Sequence, residues 1–240
     1  MNIIKVRALV IKEYEAGESD KRLLLLCKEK GRILVRVRGA RKPKSKFVSS
    51  AQVFAYSDFV LSEGNGFYSV NQADIIESFY GLRTDYDKLM NAALIVNSCA
   101  KVVLEDIQVD DLLYLTLISL KTLVDKPYPP IQTSSVFLLR MISWYGFQPE
   151  TENYVKLPSS PHSKIYITPD GIIRSEDSPN AKNKLISEST AKALNHIITS
   201  DVKKSFSFNV SENVLKEVES VCRLLWNFHF ADELGSYYRH

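Results

Sequence analysis

Apolar and polar residues alternate with period two through the first eighty positions, and the period then lengthens. Ile4, Val6, Ala8 and Val10 alternate with Lys5, Arg7 and Leu9, which predicts a half-buried strand. A polar loop, EYEAGESD, is expected over Glu13 to Asp20, followed by a short apolar strand from Leu23 to Cys27. The KEKG segment supplies a turn in which Gly31 is free to take positive φ. Ile33, Val35 and Val37 then face a core while Arg32, Arg36 and Arg38 face outward, with Leu34 among them. Gly39 and Pro43 end that strand, and GARKPKSK is expected as a mobile loop. Two further strands, about Gln52 to Ser62 and Phe67 to Ala73, flank the hairpin turn EGNG. Five short antiparallel strands in this space predict a small closed barrel of the OB type, over residues 1–78.

From about Ile76 the spacing becomes helical. Leu89, Ala93, Val96, Ala100 and Val103 mark one helix, and Asp110 to Val124 a second that is apolar almost all round. KPYPP, Lys126 to Pro130, breaks the pattern, and a third helix from about Gln132 to Tyr145 stops at Gly146. KIYITPDGIIR predicts a hairpin about Pro169-Asp170-Gly171, inside an insertion at about 150–186. Ser187 and Ser211 fit as N-caps of two last helices, the final one striped by Val214, Val218, Val221, Leu225 and Phe228. The fold class is thus α+β: a barrel, then an α-helical domain over 79–240 with an inserted β-hairpin.

Charge changes the picture more than composition does. Between Lys28 and Lys46 stand nine Lys/Arg and a single acid, Glu29, whereas the remainder holds 22 basic and 27 acidic residues. Local density of cations is what polyanion binding needs, because each neutralised phosphate releases condensed counterions. The expected phosphate contacts are Arg32, Arg36, Arg38, Arg41, Lys42, Lys44 and Lys46, extended by Lys21 and Arg22. Stacking aromatics tolerate any base, and Phe47, Tyr56, Phe67 and Tyr68 stand close by in sequence; Phe54 and Phe59 are assigned to the core.

Other classes find less support. Cys27, Cys99 and Cys222 are odd in number and lie in apolar stretches, which fits buried thiols and a reducing compartment. Lys5 and Arg7 interrupt any N-terminal apolar core, and Leu112 to Leu120 is too short to span a bilayer, so no membrane role is expected. Asp106, Asp110 and Asp111 do not converge as a metal-assisted nuclease requires, and no P-loop, GxSxG or HExxH occurs. The expectation is a cytoplasmic, non-enzymatic protein without cofactor. An RNA-binding barrel acting in RNA processing or translation remains the alternative, since composition does not report on the 2′-hydroxyl.

Three stretches resemble the bacterial RecO family of recombination mediators. ALVIKEYEAGESDKRLLLLCKEKGRILVRVRGARKPKSK is similar to its N-terminal pattern, FVLSEGNGFYSVNQADIIESFYGLRTDYDKL to its passage from barrel to first helix, and SVFLLRMISWYGFQP to the segment before its zinc ribbon. The resemblance implies a nucleoid-associated protein that binds single- and double-stranded DNA and anneals complementary strands. It also implies help in loading recombinase together with RecR on DNA coated by single-stranded DNA-binding protein. Capture of that protein's acidic tail by the helical domain is implied too, with Lys121 and Arg140 as the cations. Many relatives carry two CxxC pairs where this chain has Asn153 and Lys156, then Arg174 and Asp177. With His162 the one imidazole nearby, no tetrahedral zinc site is expected, and Ile165, Ile167 and Ile172 are expected to hold the hairpin.

Overall fold

The computed structural model describes residues 2–64, 66–151, 164–171, 173–175 and 183–230. Two compact units divide the chain, 1–124 and 125–240. This division falls well beyond the expected domain limit at 78/79, for a reason visible in the first unit.

Five strands form the first unit's closed barrel: β1 (Asn2–Ala16), β2 (Asp20–Cys27), β3 (Gly31–Val37), β4 (Tyr56–Gly64) and β5 (Phe67–Glu77). Their order is β1-β2-β3-β5-β4, with β4 pairing back onto β1 and β3 meeting β5 in parallel. The expected alternation is realised in the core, where Val6, Ala8, Val10, Leu23, Leu25, Ile33, Val35 and Val37 pack together. β1 is longer than expected. A register shift between Val10 and Lys12 lets the strand run on through Glu13, Tyr14 and Glu15, so the turn is confined to residues 17–19, with Gly17 at φ 67°. The supposed polar loop is therefore mostly strand.

On the opposite, outer face, Leu9, Ile11 and Leu26 are also buried. Helix α1 (Tyr86–Val102), capped by the Asp85 carboxylate accepting from the Lys88 amide, packs on β1 and β2. α2 (Asp110–Asp125) follows, with Leu112, Leu115, Leu120 and Leu123 buried. The connection between the two helices completes the β2–β3 turn. Asp106 N donates to Lys30 O at 3.0 Å, Val109 N to Lys28 O at 2.9 Å and Arg32 N to Leu104 O at 3.1 Å. These bonds satisfy backbone groups that a free hairpin would expose, and they explain why the unit extends to Val124.

The second unit centres on α3 (Pro130–Trp144), whose residues 132–139 are all buried. Proline at its first position has no orphan donor to satisfy, and Gly146, at φ 86°, closes it by donating to Ser143 O. α4 (Glu188–Thr199), capped by Ser187, and α5 (Glu212–Phe230) pack against it. On α5 the buried face is Leu215, Val218, Val221, Cys222 and Leu225, completed by Phe230; Phe228 is exposed, so the expected stripe was rotated at its end.

The predicted hairpin is present as β6 (Ile165–Ile167) against β7 (Ile173–Ser175), and β8 (Lys184–Ile186) adds an unexpected third strand beside β6. Tyr166, Ile167 and Ile186 are buried. Ile172 lies outside the described residues, as do Asn153, Lys156, His162 and Asp177; Arg174 sits on β7 opposite Tyr166. Among the described residues no group of three His, Cys, Asp or Glu could hold a metal ion. All three cysteines are buried and free, and burial pushes their thiols up to about 12. No helix among the described residues is long and apolar enough to cross a membrane.

Candidate nucleic-acid interface

Alternation along β3 sends Arg32, Leu34 and Arg36 to the barrel's outer face because Ile33, Val35 and Val37 seal its interior. The three do not share one environment. Arg32 lies beneath α1, where its Nη1 donates to the carbonyl oxygen of Ala100 at 2.6 Å. A cation at a helix C-terminus meets unsatisfied carbonyls and the negative end of the dipole, so Arg32 is a structural contact rather than a free phosphate ligand.

Arg36 stands in another setting. Register pairs it with Arg22 on β2, and Arg22 in turn with Tyr14 on β1. Both arginines are exposed. Two like charges in opposed positions repel, and Asp20 compensates: its carboxylate accepts from Arg36 Nη2 at 2.7 Å and from the Gly39 amide at 2.8 Å. The Gly39 N–H first, and Arg36 second, hold the Asp20 carboxyl below the usual carboxylate range.

Beyond β3, GARKPKSK is not loose. Its turns are closed by Lys42 N to Gly39 O and Ser45 N to Lys42 O, and Phe47 anchors the end inside the barrel core. Arg41 reaches back to the β1–β2 turn: its amide donates to Ser19 O, and its Nη1 reaches Gly17 O at 3.1 Å and Glu15 at 3.2 Å. Lys46 donates to Asn71 O and lies 4.9 Å above the Phe47 ring. Lys21, half-buried, is held by Glu13 at 3.0 Å and by Ala51 O at 3.1 Å. Arg22, Arg38, Lys42 and Lys44 are exposed with no carboxylate partner among the described residues.

The expected stacking aromatics fare differently. Phe47 is buried in the core because the chain must turn inward between β3 and β4, and it presents no face to a base. Tyr56 is half-buried, and that burial pushes its phenol up. Tyr68 packs against the core and uses its hydroxyl between Lys30, at 3.4 Å, and Glu63, at 3.2 Å. Phe67, at the β4–β5 turn, is exposed. Lys12 and Tyr14, on the same face as Arg22 and Arg36, are not among the expected residues because Glu13 to Asp20 reads as a polar loop; their alternation after the register shift is the available signal.

Away from the barrel face, Lys121 is exposed on α2 of the first unit. Arg140 is half-buried on α3 of the second; its Nη2 donates to Ser200 O, its Nε is buried without a hydrogen-bond partner, and burial pulls its pKa down. Of the acids weighed for metal chemistry, Asp110 pairs with Lys28 at 2.9 Å and Asp106 sits in the turn at φ 56°, each with a structural task.

Comparison with known proteins covers nearly all of the chain. The family model described as recombination protein O N terminal matches residues 1–79, and that described as recombination protein O C terminal matches residues 83–237. A DNA repair protein RecO from Acetivibrio thermocellus is 39% identical over 224 residues, covering 92% of this chain and 89% of that protein. The DNA repair protein RecO of a Thermoanaerobacter species is 28% identical over 242 residues, covering 98% of this chain and 96% of its own.

Proposed function

We propose, from the premise that the chain belongs to the RecO family of non-enzymatic recombination mediators, that it serves DNA repair by binding DNA on the outer face of its barrel. The observation that carries the reading is the opposed pair Arg22 and Arg36, continued by Arg38, Lys42 and Lys44 without carboxylate partners among the described residues. Strand order and closure support an OB-type barrel, whose binding face is built on its second and third strands. Phosphate contacts of this kind bind any sequence.

The carboxylates nearby do not oppose the reading. Asp20, largely shielded and also held by the Gly39 amide, orients the exposed guanidinium of Arg36, and Glu15 pairs with Arg41 at the surface. A surface pair is worth little in water, and a guanidinium can turn a further N–H to a phosphate oxygen. Annealing requires two repelling polyanions to share one surface, and dense cations lower that repulsion while weak base contact permits a search for register. The wider reading has the protein anneal complementary strands and, with RecR, load recombinase on DNA coated by single-stranded DNA-binding protein. In this reading Arg140, half-buried on α3, and Lys121, exposed on α2, are the cations for that protein's acidic tail.

Titration of a single-stranded oligonucleotide tests the barrel face. With about five phosphates neutralised, the log–log salt slope is near −3.5. Replacing Arg36, Arg38 and Arg41 by Ala weakens binding to all sequences alike and flattens the slope; unchanged affinity and slope would remove the basic strand from the reading. Strand annealing on templates precoated with single-stranded DNA-binding protein, with and without its acidic tail, tests the second unit. Annealing indifferent to the tail discards the tail-binding proposal for Lys121 and Arg140 and leaves the barrel.

A further inference from the structure

Two apolar side chains lie exposed within the cationic face. Tyr14 is 42% and Leu34 43% exposed, although both stand on strands whose other face is sealed in the core. Register places them in adjacent rows across β1, β2 and β3. One row runs Tyr14, Arg22, Arg36; the next runs Lys12, Leu24, Leu34. Lys12 Nζ sits 5.3 Å from the Tyr14 ring centroid. From the strand spacing and the rise per residue, Tyr14 and Leu34 are about 12 Å apart across the face, with Arg22 beside Tyr14 and Leu24 beside Leu34 on the strand between them.

We infer that Tyr14 and Leu34 are a nucleobase subsite: bases of a single strand lie on the Tyr14 ring and against Leu34 while Lys12, Arg22 and Arg36 take the flanking phosphates. An exposed ring among cations matches what sequence-tolerant single-strand binding requires, because every base offers a π-face. Tyr14 is the one aromatic residue of β1, β2 and β3 and is exposed, whereas Phe47, beyond β3, is buried and Tyr68, on β5, is engaged through its hydroxyl. A duplex keeps its bases stacked away from such a ring and meets only the cations. The subsite therefore gives the face a preference for single strands that its charge alone does not supply.

This inference rests on the proposed DNA binding by the same face, and two probes separate the fates of the two. The full chain is titrated by anisotropy with a labelled oligothymidine and with an abasic oligonucleotide of equal length and charge. Oligothymidine binds more tightly. Tyr14→Ala lowers its affinity about tenfold with the salt slope and the abasic affinity unchanged, and Tyr14→Phe restores it. Unchanged abasic binding also shows that the variant is folded. Equal loss on both probes, no loss on either, or a Tyr14→Phe protein as weak as Tyr14→Ala overturns the subsite. Wild-type protein that binds both probes equally with a steep salt slope also overturns the subsite but keeps the DNA-binding reading. Wild-type protein that binds neither overturns both.

Discussion

The two ends of β3 carry the same residue types to different ends. At the first, Gly31 and Arg32 meet the α1–α2 connection, and every partner is backbone: the carbonyls of Ala100 and Leu104 and the turn at Asp106. At the second, Arg36, Gly39 and Arg41 meet the β1–β2 hairpin, and the partners include two carboxylates, the largely shielded one of Asp20 and the exposed one of Glu15. A guanidinium that closes a helix end has no equivalent partner elsewhere and is fixed. One that is itself exposed and pairs with a side-chain carboxylate is oriented yet keeps donors open to solvent. The alternation puts Arg32 and Arg36 on one face; what crosses that face decides which of them is available.

The contrast breaks or sharpens most strongly at the glycines. Gly31 has φ 59°, and a Cβ there would lie 2.1 Å from Leu104 O and 2.9 Å from Ile107 Cγ1. Gly39 has φ 64°, but its added carbon would meet only the Lys42 side chain, at 3.5 Å. Gly31→Ala is expected to cost about 3 kcal/mol or more and Gly39→Ala about 1–2 kcal/mol, read from urea midpoints at constant m. Equal costs would erase the distinction between the two ends.

Arginine substitution gives the next largest effect. Arg32→Ala removes a bond from a part-buried carbonyl and is expected to lower stability by about 1–3 kcal/mol, leaving the single-strand salt slope intact. Arg38→Ala should do the reverse, with stability unchanged and the slope smaller by about 0.7. Acid then separates the ends through Asp20. Its carboxyl is depressed when folded, so the contribution it makes is full above the ordinary carboxylate range and is lost as pH falls through the folded value. Hydrogen exchange at the Gly39 amide should accelerate on acidification beyond the intrinsic trend, while Arg32's amide, bonded to Leu104 O, should not respond; Asp20→Asn abolishes the Gly39 response. The smallest effect belongs to Glu13→Gln with Glu15→Gln, which removes the carboxylates paired with Lys21 and Arg41. Single-strand affinity should rise a few-fold at low salt, since each exposed pair contributes about 1 kcal/mol or less.

What the chain's pattern made legible follows from where a period is long enough to read. Ile33, Val35 and Val37 alternate cleanly, and the closed barrel grows from that run and its neighbours. β8 was not legible, because a three-residue strand has no period to detect. Phe47 was misread as exposed, since a turn residue enters the core through long-range closure that local spacing does not encode. Arg32 was grouped with Arg36 because covering by α1 is a tertiary fact. Tyr14 was overlooked because one extra residue at Val10–Lys12 shifts the alternation and hides the strand beyond it.

The bonds from residues 103–109 to the β2–β3 turn bear on how this protein can be dissected. A fragment ending at residue 78 would strip the cover from Leu9, Ile11 and Leu26 and leave Lys28 O, Lys30 O and the Arg32 amide without mates. Such a piece should aggregate or melt early, whereas one cut after Val124 retains every one of those partners. The smallest piece that keeps the proposed DNA-binding face together with these partners is thus half the polypeptide, and its last two helices are as much a part of it as any strand.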